Sequence, residues 1–330
     1  MKGRLPLKLS ITAMVILTIL ALVPYLVNPY WLHISIRALW LVYLSVAWTI
    51  ACRAHVMDLC HSTFVGIGAY TSTLLFIRLD VSPWLGMLVG MAIALLAALL
   101  IGWLCFRAQL QLLPFVLVTL AFAVIVTFLA LSLSVTGGAA GLIMIRMGSN
   151  SWNFQWVSKL PYYYIILGMT LFVVVIYRLI DRSKLGIYFK AIADNERGAA
   201  AIGIDIMRYK LIAIGISAVL AALAGTFWAQ YSSNVEPNSY LGPQLVLMLL
   251  LFAAVGGMAS TWGPVVAPLI LAPLSDIFNA YLGSRWTGSA PILYGVLICL
   301  VILFLPRGVI TWVEERFRKS SSPKTKDTGT

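Results

Sequence analysis

The residues able to do chemistry are sparse. Only eleven acidic side chains occur among 330 residues, and just two of them, Asp58 and Asp276, sit next to apolar segments. An acid held at membrane depth serves a pathway or a proton relay; the same acid at a helix end is simply solvated. His33, His55 and His61 have no ligand-like spacing with acids or cysteines, so no metal is predicted. Cys52, Cys60, Cys105 and Cys299 form no CxxC pair and read as small hydrophobes in or beside apolar runs. No paired acids, His-rich box or nucleophile with its base stands out, so no catalytic residue is assigned. A GxxxxGK[ST] loop is absent, so the chain cannot grip ATP itself, and no cofactor is implied. What remains is the chemistry of glycine backbones and hydroxyls. Gly66, Gly68, Gly86, Gly90, Gly137 and Gly141 include GxxxG spacings at 86–90 and 137–141 that favour close helix packing. Gly137 and Gly138 are also placed to offer backbone groups at a helix end to a charged ligand terminus. Thr119, Thr127, Ser132, Ser134 and Thr136 either line a polar path or bond back to their own helix. Gly66, Gly68, Thr119, Thr136, Gly137 and Gly138 are therefore the candidate pathway residues.

The elements that must position these residues follow from composition. The chain is 61% hydrophobic and 10% charged, with mean hydropathy +0.96, whereas soluble domains carry roughly 25% charged residues. Apolar runs long enough to cross a bilayer core of about 30 Å recur, and the ~10-residue alternation of a membrane barrel is absent. The fold class expected is all-α, a polytopic integral membrane protein of about ten helices. Crossings are predicted at 11–28, 34–52, 63–79, 84–106, 112–134, 162–180, 208–231, 243–258, 264–282 and 290–306. The 243–282 stretch, punctuated by Gly256, Gly257, Gly263, Pro264, Pro268 and Pro273, reads either as two crossings or as one crossing plus a re-entrant segment. The basic start, Lys2, Arg4 and Lys8 before Leu9 to Val27, imitates a secretory signal but lacks a small-x-small cleavage site, and is expected to stay as the first helix.

Charge sorting sets the orientation. With both termini inside, 18 of the 23 Lys and Arg residues fall in inner segments and 5 in outer ones, in accord with the positive-inside rule. This sorting, rather than nucleic acid binding, accounts for the net charge of +12. Residues 1–319 are expected to form one transmembrane domain, and the polar tail 320–330 to be disordered. Two connections exceed the needs of a turn. The outer one, 135–161, carries Trp152, Phe154 and Trp156, which suit an interfacial belt or a short surface helix. The inner one, 181–207, is the most polar internal stretch. There Asp194 can cap a short helix, Glu196 suits its positive end, Gly203 can end it in a left-handed conformation, and Asp205 can cap the helix that enters the membrane. Ala199, Ala200 and Ala201 would offer a smooth face to a partner; the alternative is a solvated connection.

The segment Ala191-Ile-Ala-Asp-Asn-Glu-Arg-Gly-Ala-Ala-Ala-Ile-Gly-Ile-Asp-Ile-Met-Arg-Tyr-Lys-Leu211 resembles the cytoplasmic loop of LivM-type permeases, membrane subunits of ATP-driven (ABC) importers for branched-chain amino acids. Further blocks resemble the same family: Phe64-Val-Gly-Ile-Gly-Ala-Tyr70, Leu117-Val-Thr-Leu-Ala-Phe122 leading to Thr136-Gly-Gly-Ala-Ala-Gly-Leu142, Val255-Gly-Gly-Met-Ala-Ser-Thr-Trp-Gly-Pro264, and Leu305-Pro-Arg-Gly308. They fall in family order between about residues 55 and 310. Two departures are Asp58-Leu59-Cys60, where the family has Ser-Leu-Gly, and Ala200, where a second Glu is frequent. The resemblance implies a permease subunit of the bacterial inner membrane, not an enzyme. It implies a homologous second permease, two cytoplasmic ATPase subunits docking on 190–207, a periplasmic substrate-binding protein and a small-molecule substrate. It places the coupling contacts at Asp194, Asn195, Glu196, Arg197, Ala200 and Gly203. A permease for urea or short amides and a stand-alone secondary transporter are the alternatives. The second would bury several acids or histidines in mid-membrane, and this sequence has almost none.

Overall fold

The computed structural model describes residues 20–282 apart from 21, 23, 26, 146–147, 258–259 and 261, together with 295–296. Most of the crossing predicted at 11–28, the one at 290–306, the tail 320–330, Cys299 and the Leu305–Gly308 block lie outside the described residues.

Long apolar helices dominate. They are α1 (Pro29–Cys52), α2 (His61–Leu79), α3 (Pro83–Arg107), α4 (Leu112–Ser132), α5 (Leu160–Arg182), α6 (Lys184–Asp194), α7 (Glu196–Ala201), α8 (Ile206–Ser232), α9 (Pro237–Leu241), α10 (Pro243–Gly256) and α11 (Gly263–Leu282). Counting Pro237–Gly256 as one, seven helices among the described residues are long and apolar enough to span a membrane. Several start on a proline (Pro29, Pro83, Pro237, Pro243), whose missing N–H costs nothing in a first turn. This is a multi-pass membrane protein.

The centre is a block of α2, α3 and α8, with α1 against α8 and α5 and α11 against α1. Glycines set its tightness. A Cβ on Gly68 would collide with the backbone of Ala222 in α8, one on Gly225 with the backbone of Val65, and one on Gly90 would come within 3.1 Å of the Gly68 Cα. Without side chains between them, the helix backbones touch, which is how helices associate where lipid removes the hydrophobic drive. The 86–90 spacing is thus a packing motif. By contrast, α4 shows Leu113, Leu117, Ile125, Phe128 and Leu129 outward, an apolar face suited to lipid. The α10–α11 pair forms a hairpin closed by Gly256 and Gly263, each of which leaves no room for a Cβ on the other.

The 135–161 connection departs from expectation. Among the described residues it holds no α-helix of its own, and its aromatics do not all face outward. Two 3₁₀ turns, Ser134–Thr136 and Gly138–Ala140, lead into strand β1 (Leu142–Ile143), which pairs antiparallel with β2 (Asn234–Val235). Phe154 is fully buried among Trp84, Trp156, Tyr162 and Phe227. The Trp84 indole donates to the Ser151 carbonyl at 3.0 Å and the Ser82 hydroxyl to that of Trp152 at 2.6 Å. A buried aromatic ring outweighs an interfacial one here because four rings close around it, and only Trp152 stays outward.

Candidate functional site

Two features stand out: the α6–α7 element between α5 and α8, and the turn that joins α1 to α2.

The α6–α7 element is built from local caps. α6 continues almost directly from α5 and ends at Asp194; the cap of α7 is Asn195, whose Oδ1 accepts from the Gly198 N–H at 3.0 Å. The expectation that Asp194 caps is corrected: Asn195 has the extended backbone a cap needs, and Asp194 is the last residue of α6. Gly203, at φ +85, closes α7. Its N–H bonds to the Ala200 carbonyl at 3.0 Å, and that of Ile204 to Ala199 at 3.1 Å, the two-bond arrangement that favours glycine at a helix end. Asp205 then caps α8 through the Arg208 N–H at 3.0 Å.

Glu196 ties this element to the rest of the protein. Its Oε1 accepts from Lys210 Nζ of α8 at 2.6 Å and lies 3.1 Å from His55 Nδ1 in the α1–α2 turn. Burial by itself would raise the Glu196 carboxyl, but Lys210 first and His55 second outweigh it and hold it below the usual carboxylate range. Lys190 pairs with Asp181 at 2.7 Å, fastening α6 back onto α5. Asp194, Asn195, Arg197, Ala200, Ala201 and Gly203 are exposed, while Ala199 is buried against the bundle. Ile202 is 76% exposed, an apolar side chain at the tip of a polar element. A cleft of about 290 Å³ lies between this element and the α3–α4 turn, lined by His55, Gln109, Gln111, Ile192 and Glu196 among others. The composition of 181–207 pointed to Glu196 but could not supply Lys210, fourteen residues on, or His55; both come from tertiary packing. Ile202 was visible as the one large apolar residue of the tip.

The predicted pathway residues do not gather at one point. Gly66 packs on Leu241 and Gly68 on Ala222, both helix contacts. Thr127 and Ser132 bond back to Ala123 and Phe128 at 2.7 and 2.8 Å. Thr136 donates to Leu133 at 2.7 Å. Gly137 (φ +80) shapes the tight 3₁₀ connection, with Gly138 beside it, and Gly141 brings that connection against the Val235 carbonyl. Thr119 differs: besides donating to Val116, its Oγ1 accepts from the Leu59 N–H at 3.1 Å. It therefore anchors the α1–α2 turn.

That turn is buried rather than solvated, because Ala54, Val56, Asp58 and Cys60 are all fully enclosed. Asp276, the other acid, forms an ion pair with Arg37, joining α11 to α1. Neither acid is solvated at a helix end.

A sequence profile described as "Branched-chain amino acid transport system / permease component" matches residues 30–306, which takes in both features. The chain belongs to this permease family. The LivM permease protein of Salmonella typhimurium is 26% identical over 293 residues, covering 81% of this chain and 66% of the relative. That of Escherichia coli is 27% identical over 282 residues, covering 77% and 64%. The LivH permease protein of Salmonella typhimurium is 25% identical over 278 residues, covering 77% and 85%. All three are described as belonging to high-affinity branched-chain amino acid transport systems. This permease thus spans about two thirds of the length of the LivM relatives and more of LivH. No solved structure matches it.

Proposed function

We propose that this permease is the membrane subunit of an ATP-driven importer for branched-chain or related amino acids, moved by separate ATPase subunits that press on α6–α7. The observation that carries the proposal is the Glu196 contact, which joins an exposed, capped helix to Lys210 on α8, the central helix of the bundle. A push on the Ala200–Gly203 tip is then delivered to α8 and, through His55, to the α1–α2 turn. The cleft beneath the element gives it room to move. Both termini and α6–α7 face the cytoplasm in this scheme, residues 1–319 act as one domain, and the β1–β2 face meets a periplasmic binding protein. A homologous second permease completes the pathway, with Thr119 holding its wall in register. Substrate crosses because the two conformations differ in affinity and exposure, not because either binds tightly.

The test is a reconstituted transporter in which uptake and ATP hydrolysis are measured together. Glu196→Ala should lower leucine uptake about tenfold, as expected for one lost charge-assisted contact of roughly 1.5 kcal/mol, while hydrolysis continues. Uptake and hydrolysis that stay in the wild-type ratio would remove the coupling role from this element.

A further inference from the structure

The turn at 53–60 carries a buried acid that the transport reading above does not use. From His55, beside the α6–α7 element, the chain runs to Cys60 without helix, and α2 begins at His61. Its depth can be read from its neighbours. Leu59 is held by Thr119, seven residues into α4, and His61 Nδ1 lies 3.3 Å from the Ser217 hydroxyl, eleven residues into α8. At a helical rise of about 1.5 Å per residue these are about 10 and 17 Å from the α6–α7 face, near the middle of a hydrocarbon core about 30 Å thick. Irregular chain at that depth occurs where it lines a site or is enclosed by protein.

Asp58 sits there with a relative exposure of 0%. One carboxylate oxygen, Oδ1, has no hydrogen-bond partner. The other lies 3.9 Å from both the Cys60 thiol and His61 Nδ1, and the carboxylate also draws on the Trp48 indole and its own backbone N–H. His61 Nε2 and the Thr63 hydroxyl are likewise buried without partners. Among the described residues no Lys or Arg pairs with the carboxylate. The turn itself is firmly built: the Trp48 indole donates to the Asp58 carbonyl at 2.9 Å, and Thr119 holds Leu59. A buried carboxyl with an unpartnered oxygen and no cationic side chain beside it is a site with an unused acceptor, and a cation that arrives there would hold it in the ionised form.

We propose that Asp58 is a binding site for a cationic nitrogen, the primary ammonium of a small organic ligand passing the bilayer centre beside the first turn of α2. A primary ammonium is the cation small enough for so enclosed a position, with the Cys60 thiol beside the carboxylate and the Ser217 hydroxyl reached through His61. The site is closed in this conformation, so a ligand enters only when the Trp48 and Thr119 contacts that hold the turn are released.

The experiment measures direct binding to the purified, complete transporter in nanodiscs by calorimetry. The probes are isopentylamine, which keeps the ammonium, and isocaproate, which keeps only the carboxylate. Their carbon skeleton follows the branched-chain reading, but the comparison tests the site alone, and the uncharged amine reaches a membrane-embedded site. Isopentylamine should bind the wild-type protein at least tenfold more tightly than isocaproate. Asp58→Asn should erase that preference and Asp58→Glu keep part of it. Equal binding of the two probes by the wild type overturns the proposal without requiring any variant to fold. So does an amine preference that survives Asp58→Asn. Leucine uptake by the same preparation is read separately: its absence in the wild type would count against the transport reading and leave the amine result standing.

Discussion

At the scale of single residues, Glu196 and Gly68 show how much hangs on one atom or its absence. The Glu196 carboxyl is held below the usual carboxylate range by Lys210 and His55. The stabilisation it contributes is therefore complete at neutral pH and is lost as pH falls through and below that range. The protection factors of the 196–203 amides, taken against the intrinsic exchange rate at each pH, should fall on acidification into that window. Glu196→Gln should show the low protection factors at every pH. Protection that ignores both pH and the variant would mean the contact does not hold the element. Gly68 meets the Ala222 backbone directly, so Gly68→Val forces α2 away from α8 and should destabilise by about 1–3 kcal/mol, the usual cost of overpacking. A thermal melt of the purified subunit would register it, and an unchanged midpoint would contradict the backbone contact.

At the scale of elements, α7 depends on its two ends. Gly203→Val places a β-branched residue at φ +85, a conformation costing of order 1–3 kcal/mol outside glycine. The last turn of α7 should unwind, and transport should fall with protein abundance unchanged; full transport by this variant would show that the tip geometry is dispensable. Local rules made this end of the element legible in sequence, since a helix stop needs only Gly203 and its immediate neighbours. The same rules misplaced the start by one residue, because Asp194 and Asn195 are equally good caps and the continuation of α5 into α6 decided between them. Apolar run length revealed the long helices. It could not reveal that the α1–α2 turn sinks into the bundle, because Asp58 looks like any loop acid until Trp48, ten residues back, is seen to bind its carbonyl and Thr119, sixty residues on, to hold the adjacent Leu59. Nor did the spacing of Trp152, Phe154 and Trp156 tell which ring is inside; that depends on Trp84 and Phe227 arriving from other helices. Gly66 and Gly68 read equally well as packing or pathway residues until Leu241 and Ala222 appeared against them.

At the scale of the molecule, orientation and assembly are open to direct tests. A cysteine at the exposed position Ala200 should react with a membrane-impermeant maleimide in inside-out vesicles and not in intact cells. The reverse pattern would invert the proposed topology. The Arg37–Asp276 pair crosses between α1 and α11. Breaking it with Arg37→Leu strands a largely buried acid at a cost of about 3–5 kcal/mol, whereas Arg37→Asp with Asp276→Arg should recover most of the lost thermal stability. Failure of the exchange to recover any would assign Arg37 another partner. The glycine contacts among α2, α3 and α8 carry a last consequence. Backbones in direct contact leave no soft layer to absorb a bend, so a displacement delivered near Lys210 travels the 27 residues of α8 as a shift of one stiff beam, over roughly 40 Å. β2 continues directly from its far end. Under the proposed coupling, opening at one face would therefore be geared to closing at the other, and a mutation that retimes one should retime both.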